Sequence, residues 1–202
     1  MARRAIPLVF GAFAIVVTLT FLLIRDEGSP SDDMPFALQQ LLLELDDLEP
    51  GFQAGDDTGC GAISPEGRSP ELAAVLGNTF PPFCVNQFES DGVLTPPMIE
   101  SAVVLLPTPE LASALMTAPG AATQYFFGLN RPVGAPEQVG FGDEAVLIDS
   151  QDVNSGGGGL LFAWRDGSHV HFLGFIGPRA RIDHRGYMSH LADIQQSRSE
   201  DR

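Results

Sequence analysis

The sequence contains no lysine: its eleven basic residues are all arginine, and eight of them follow residue 25. All 26 acidic residues lie in that same stretch. A chain this negative is repelled by nucleic acid and by anionic lipid surfaces, so both are disfavoured as partners. The excess of carboxylates favours divalent cations and cationic ligands as partners. Without further evidence, however, it is typical of a surface that only keeps the protein soluble.

The chain also lacks the common catalytic and phosphate-binding motifs. It has no Gly-x-Ser-x-Gly elbow, no Walker loop, no His-Glu-x-x-His motif and no Gly-x-Gly-x-x-Gly fingerprint. The glycine run 156–159 has no neighbouring Lys and Ser/Thr pair to hold a phosphate, and it predicts a flexible connection. We therefore expect a non-enzymatic protein without a cofactor.

Apolar residues, by contrast, fill the beginning of the chain without interruption. Residues 5–24 carry no charged side chain, and twenty helical residues span about 30 Å, the thickness of a bilayer's hydrocarbon core. The run is longer than that of a cleaved secretory signal, and no suitable cleavage site follows it. An uncleaved signal-anchor is predicted; a cleaved signal and a buried soluble helix remain the alternatives.

The charges that flank this run predict its orientation. Arg3 and Arg4 precede it, whereas a single Arg25 and then several acidic residues follow it. The cationic end stays in the cytoplasm. We expect a single-pass cell-membrane protein with a cytoplasmic N-terminus, organised as a signal-anchor transmembrane helix at 1–25, a linker at 26–35, an extracytoplasmic domain at 36–198 and a tail at 199–202.

Cysteine is scarce, with Cys60 and Cys84 both on the exported side. An even count in an oxidising compartment indicates one disulfide. A zinc site would need more thiols or paired histidines nearby, and a catalytic thiol would need a histidine and an electropositive setting. The sequence therefore predicts a Cys60–Cys84 bond.

Hydrophobic spacing and turn residues predict an α+β domain, an antiparallel sheet with helices packed on it, preceded by the one N-terminal transmembrane helix. We expect four helices, at 36–48, from Ser69 to about Asn78, from Thr108 through Met116, and from Ile182 to about Arg198. We expect strands at 99–106, 145–148, 160–165 and 169–176. The stretch 54–68 is acidic and glycine-rich, which is typical of a loop.

Asp166-Gly167 is the strongest turn signal in the chain and predicts a two-residue hairpin, with Trp164 opposite His169 and Phe162 opposite His171. Successive residues of a strand point to opposite faces. One face then carries Leu161, Ala163, Val170, Phe172 and Ile176, and the other carries Phe162, Trp164, His169, His171, Leu173 and Phe175. The second set mixes large aromatic rings with two imidazoles.

Three interpretations of that second set stay open. A helix covers it and leaves the two histidines near the rim, or it lines a pocket or partner surface, or the histidines bind a metal together with His184, His190 or a carboxylate. Because no third ligand stands at diagnostic spacing, no metal site is predicted. Phe162, Trp164, His169 and His171 are the candidate binding residues.

A second candidate lies just before the strand at 145–148. Gly140 and Gly142 permit a tight entry into that strand, and the acids Asp143 and Glu144 follow. Two adjacent acids suggest a general acid/base pair. Neighbours in a strand point to opposite faces, however, which favours Gly142, Asp143 and Glu144 as a capped turn.

Short motifs along the chain resemble a known family. They are Leu-Glu-Pro-Gly-Phe at 48–52, Ser-Ala-Val-Val at 101–104, Val-Gly-Phe-Gly-Asp-Glu-Ala at 139–145 and Trp-Arg-Asp-Gly-Ser-His-Val at 164–170. They are similar to exported sensor or lipoprotein domains of bacteria, including extracytoplasmic domains of serine/threonine kinases, and more distantly to the PsbP-like fold. The resemblance implies a sandwich-like α+β domain with a ligand groove and no catalytic residues.

These observations predict a membrane-tethered, extracytoplasmic sensor domain that is not an enzyme. Its expected partners are the membrane, through the N-terminal helix, and an unidentified small ligand, lipid or envelope protein, but not nucleic acid. A metal-assisted hydrolase that uses His169, His171 and nearby acids is the alternative from another class. A purely structural role in the envelope is the third.

Overall fold

The computed structural model describes residues 33–66, 68–90, 96–118, 131–151, 157–178 and 184–200. The predicted membrane span at 1–25 lies outside these ranges. Within them, no helix combines the length and the apolar character needed to cross a bilayer.

The described elements follow one another as a mixture of helices and strands. The helices are α1 (Asp33–Gln39), a 3-10 turn (Leu45–Asp47), α2 (Pro70–Leu76), α3 (Pro109–Met116) and α4 (Arg185–Glu200). The strands are β1 (Phe52–Ala54), β2 (Gly59–Ala62), β3 (Pro82–Ser90), β4 (Met98–Leu105), β5 (Arg131–Pro132), β6 (Glu137–Val139), β7 (Glu144–Gln151), β8 (Gly157–Asp166) and β9 (His169–Pro178).

The strands form a single sheet in the order β1-β3-β4-β9-β8-β7-β5, with β2 also paired to β3 and β6 also paired to β7. Every pairing is antiparallel. The fold is thus α+β, an antiparallel sheet with packed helices, as the sequence predicts.

Both faces of the sheet are apolar and both are covered. The first face packs against α2 and α3 and includes Leu161, Ala163, Val170 and Phe172. The second face packs against α4 and the segment after α1, and it includes Phe162, Trp164, Leu173 and Phe175. The predicted division of the β8–β9 hairpin between two faces is therefore confirmed for these eight residues.

Helices α2 and α3 begin where the sequence predicts, by the same local chemistry. The hydroxyls of Ser69 and Thr108 accept hydrogen bonds from the backbone N–H groups of Leu72 (3.1 Å) and Leu111 (3.2 Å), and a proline follows each N-cap. Proline suits the first helical position because its missing N–H has no helical partner there. Both helices are short and turn leucines toward the sheet.

The helix predicted at 36–48 is wrong in its extent. Helix α1 begins at Asp33 and ends at Gln39. Three consecutive leucines, 41 to 43, are then buried, whereas Leu45 is 44% exposed. The side chains of the sheet explain the break, because Ser101 Oγ accepts the Leu43 N–H (3.1 Å) and Asn86 Nδ2 donates to the Leu43 carbonyl (2.9 Å).

Strands β1, β2 and β3 are not anticipated by the sequence. Apolar alternation in β3 is hidden by two adjacent polar residues, Asn86 and Gln87, whose side chains bind backbone of the 43–58 region. The glycines 157–159 are also not a flexible connection, because they form the start of β8 and pair with β9. The C-terminal end of α4 also differs from the prediction, because the helix continues to Glu200, inside the stretch 199–202 that is predicted as a tail.

The hairpin register differs from the prediction by two residues. Asp166 pairs with His169, so the turn is Gly167-Ser168, and Trp164 lies opposite His171 rather than His169. Gly167 has φ +57°, a left-handed conformation that glycine adopts without strain. A shift of two residues preserves the face of every side chain, which is why the two-face division holds.

The predicted disulfide between Cys60 and Cys84 is confirmed. The two cysteines are directly opposite each other on β2 and β3, and Cys84 is fully buried beside Val103. The bond therefore fastens the acidic 55–62 segment to a strand of the central sheet.

Removing this bond should lower the free energy of unfolding. On the chain-entropy account, a cross-link that closes a loop of about 25 residues contributes about 3 kcal/mol. We expect urea denaturation to show a loss of that order in reductant. The Cys60→Ala/Cys84→Ala variant should resemble the reduced protein and ignore reductant; a variant as stable as the oxidised protein would contradict this.

Candidate functional site

The predicted binding residues of the second face are mostly buried beneath α4. Trp164 and His171 have no exposed surface and Phe162 is 6% exposed, whereas His169 is half-buried near the edge. The Trp164 and His171 rings stack with 5.1 Å between their centroids and 7° between their planes. Binding at Phe162, Trp164, His169 and His171 thus stays a prediction, and α4 covers three of the four.

A buried network of hydrogen bonds attaches α4 to this face. Ser101 Oγ donates to Gln195 Oε1 (2.9 Å), and Gln195 Nε2 lies 3.3 Å from His171 Nδ1. Because the Gln195 amide donates to Nδ1, the ring proton lies on Nε2, 3.4 Å from Ser199 Oγ. Both imidazole nitrogens of His171 are therefore occupied by α4.

Burial decides the charge of His171. Desolvation, with a smaller contribution from His169, lowers the pKa of His171 to about 3. The imidazole is neutral at physiological pH. No three His, Cys, Asp or Glu side chains converge as a metal-binding group anywhere in the described ranges.

Two neighbouring side chains fix the outer end of α4. Arg198 donates to the Leu42 carbonyl and to Asp47 Oδ2, the latter at 2.7 Å. Trp164 Nε1 donates to Gln196 Oε1 at 2.7 Å. The buried indole is thus hydrogen-bonded directly to Gln196, a half-buried side chain of α4.

The turn at 142–144 closes one end of the sheet. Asp143 Oδ2 accepts hydrogen bonds from the Gly167 N–H and from Arg165 Nη1, both at 2.9 Å, and so holds the β8–β9 turn. Glu144 Oε2 accepts from Ser113 Oγ on α3 at 2.9 Å and lies 3.5 Å from Arg165 Nε. Both acids contact the Arg165 guanidinium, and each also accepts a further hydrogen bond, Asp143 from the β8–β9 turn and Glu144 from α3.

A cavity of about 620 Å³ opens beside this turn, and we call it the acidic cavity. It is lined by Phe141, Gly142 and Asp143 of the turn before β7, by Asp166 of the hairpin, and by Asp193, Gln196, Ser197 and Glu200 of α4. Residues at i, i+3, i+4 and i+7 share one side of a helix, so α4 presents a continuous polar stripe to the cavity.

Among the described residues, Phe141 is the aromatic residue that lines the acidic cavity. The half-buried Phe141 makes edge-on contacts with Trp164, at 5.4 Å between centroids, and with Phe162, at 5.3 Å. Gln196, which binds the Trp164 indole, lies beside it. The aromatic residues singled out in the sequence thus reach the cavity indirectly, through Phe141 and Gln196.

The charge of the cavity is negative and only partly compensated. Asp143 is paired with Arg165 at 2.9 Å. Asp193 and Glu200 are exposed and form no ion pair with any residue in the described ranges. None of the arginines that the structure describes contributes to the cavity lining.

Sequence reasoning missed this cavity. The stripe Asp193, Gln196, Ser197 and Glu200 was available as a signal, because it alternates along α4 with the buried stripe Met188, Leu191, Ala192 and Gln195. The sequence does not show that the turn at 141–143 lies next to this stripe, because that contact depends on tertiary packing.

Comparison with known proteins gives little beyond this geometry. No family model matches the chain, and no curated protein matches it. Among solved structures, the extracellular domain of PknH from Mycobacterium tuberculosis is similar, with a TM-score of 0.46 and 14% sequence identity over 81% of this chain and 96% of that one.

Gly142 should not tolerate a side chain. Its φ is +54°, and a Cβ at this position would lie 2.7 Å from the Arg165 carbonyl oxygen. We expect Gly142→Ala to lower the free energy of unfolding by about 1–3 kcal/mol, from backbone strain and displacement of the turn. Gly140→Ala is the matched control, since a Cβ there meets nothing within 4 Å; equal losses in both variants would refute the interpretation.

His171 should make the protein sensitive to acid. Between its ordinary pKa of 6.5 and its folded pKa of about 3, the unfolded chain binds a proton that the folded chain does not. The free energy of unfolding should therefore fall with decreasing pH by up to about 1.4 kcal/mol per unit from this group.

Urea denaturation at several pH values between 7 and 4 checks this slope. His171→Gln should be less stable at pH 7, because the stacking on Trp164 is lost, but its stability should depend less on pH. His190→Gln, which changes an exposed histidine on α4, should keep the wild-type slope. A wild-type slope in His171→Gln would show that this imidazole is not the cause.

Proposed function

We propose that this chain is a membrane-anchored, extracytoplasmic binding domain whose acidic cavity takes a small organic cation. The observation that carries the proposal is the cavity itself, which is lined by the ring of Phe141 and by the carboxylates of Asp193 and Glu200, neither of which forms an ion pair with a described residue. The sequence predicts a binding domain whose ligand contacts the aromatic face of the β8–β9 hairpin. The proposed ligand instead binds in the acidic cavity, at the end of that face, because α4 covers the rest.

Export is supported by the Cys60–Cys84 bond, because disulfides persist mainly in oxidising compartments. The distribution of charge along the sequence points the same way, with arginines before the apolar run at 5–24 and acidic residues after it. The anchor predicted at 1–25 would keep the domain at the membrane surface.

The class of ligand follows from volume and charge. A volume of about 620 Å³ lies within the range of small-molecule sites, roughly 300–1,000 Å³. Asp193 and Glu200 attract a positive charge, and Phe141 adds an aromatic ring, a group that binds cations through its face. A small ligand with a primary amine or a guanidinium group matches the volume, the charge and the aromatic ring, whereas the carboxylates would repel an anionic ligand.

Trp164 supplies the measurement, because it is the only tryptophan in the chain. Its indole binds Gln196, which lines the cavity, so occupancy should change the Trp164 fluorescence and the indole N–H resonance. With spermidine as the probe, we expect a saturable change in the wild-type protein. Asp193→Asn/Glu200→Gln should weaken the binding at least about tenfold, which corresponds to about 1.4 kcal/mol.

A matched control separates the cavity from the general negative charge. Glu71→Gln/Glu110→Gln also removes two exposed carboxylates, but from α2 and α3 on the other face. This variant should bind spermidine like the wild type. Equal weakening in both double variants, or a wild-type response reproduced by sodium chloride at matched ionic strength, would refute a defined site.

A further inference from the structure

A buried acid lies away from the acidic cavity, at the opposite end of the sheet. Glu100 is on β4, between Gln87 of β3 and Gly174 of β9, and it is 8% exposed. It alternates with Ile99 and Ser101 of the second face, so its side chain is on the first face, beyond the area that α2 and α3 cover.

The Glu100 carboxyl has no compensating partner in the part of the chain that the structure describes. No hydrogen bond or ion pair joins it to another residue there. The charge that acts on it is that of another acid, Asp57, and burial together with this neighbour raises the pKa of Glu100 to about 8. A buried carboxyl in such a place needs either a proton or a cation.

Residues 55–58 bring Asp57 to this position by crossing over Gln87. The Gly55 N–H donates to the Gln87 carbonyl (2.8 Å), the Gln87 N–H donates to Thr58 Oγ1 (3.3 Å), and the Asp57 N–H lies 3.4 Å from Gln87 Oε1. A Cβ on Gly55 would lie only 2.5 Å from Gln87 Oε1, so glycine is what allows this close approach.

The Gln87 amide is itself poorly satisfied. It is buried, and its Nε2 donates only to the thioether sulfur of Met98, at 3.5 Å, a weak acceptor. Gln87 is thus next to both acids: it lies opposite Glu100 across the β3–β4 pair, and its Oε1 is 3.4 Å from the Asp57 backbone nitrogen. Oxygen ligands of these types are those that Ca²⁺ uses.

We propose that Asp57, Glu100 and Gln87 Oε1 form a binding site for a hard divalent cation, Ca²⁺, that fastens the 55–58 segment to the sheet. Asp57 is half-buried, which leaves room for water to complete the coordination. This site is separate from the acidic cavity and does not depend on its function. The expected dissociation constant is that of extracellular calcium modules, about 10⁻⁴–10⁻³ M.

Thermal unfolding and calorimetric titration with CaCl₂ at pH 8 and constant ionic strength test the site in the oxidised protein. The wild type should show saturable binding of one Ca²⁺ in the calorimetric titration, and its Tm should rise with the logarithm of the Ca²⁺ concentration above the dissociation constant. Glu100→Gln and Asp57→Asn should each lose this response. Asp56→Asn changes the exposed neighbour of Asp57 and should retain it, as should Asp193→Asn/Glu200→Gln.

Two results would overturn the proposal. One is a wild-type protein whose Tm and heat of titration do not respond to Ca²⁺; the other is an Asp57→Asn variant that binds Ca²⁺ as the wild type does. The second variant matters because Asp57 lies in a surface segment, so its replacement leaves the core intact even where Glu100→Gln disturbs folding.

Discussion

The structure depends on the attachment of α4 to the second face of the sheet. That face carries Phe162, Trp164, Leu173 and Phe175, and water would otherwise cover all four. Apolar contact alone is non-directional, whereas Ser101, Gln195 and His171 join helix and sheet through hydrogen bonds of fixed geometry. Each of these groups is buried. A shift of the helix that broke these hydrogen bonds while the groups stayed buried would therefore leave several polar groups unsatisfied, which costs free energy.

The attachment of α4 also determines which surfaces stay open. It covers the aromatic face that the sequence singles out, and it forms the acidic cavity at the end of that face, where α4 meets the turn at 141–143. Asp143 contributes to both turns at once, since it accepts from Gly167 and Arg165. The walls of the acidic cavity are thus held by backbone and ion-pair contacts, and the exposed carboxylates of α4 are free to meet a ligand.

The sequence predicts those parts of the fold whose signals are local. The N-caps Ser69 and Thr108, the two faces of the β8–β9 hairpin and the disulfide follow from neighbouring residues or simple pairing. It does not predict β3, since Asn86 and Gln87 look unlike strand residues until Leu43 and the 55–58 segment lie against them. The predicted hairpin register is wrong because Asp166-Gly167 and Gly167-Ser168 are both acceptable turns, and the division into two faces does not distinguish them.

The candidate site was accessible to sequence reasoning only in part, because net charge does not say where a carboxylate is placed. The described acids are placed in different ways: Asp143 is neutralised by Arg165, Asp193 and Glu200 are exposed without an ion pair to a described residue, and Glu100 is buried beside Asp57. Solvent screens the exposed acids strongly and the buried one little. Affinity for a cation must therefore come from the few positions where packing, aromatic contact or burial adds to the charge, and a count of acidic residues does not find them.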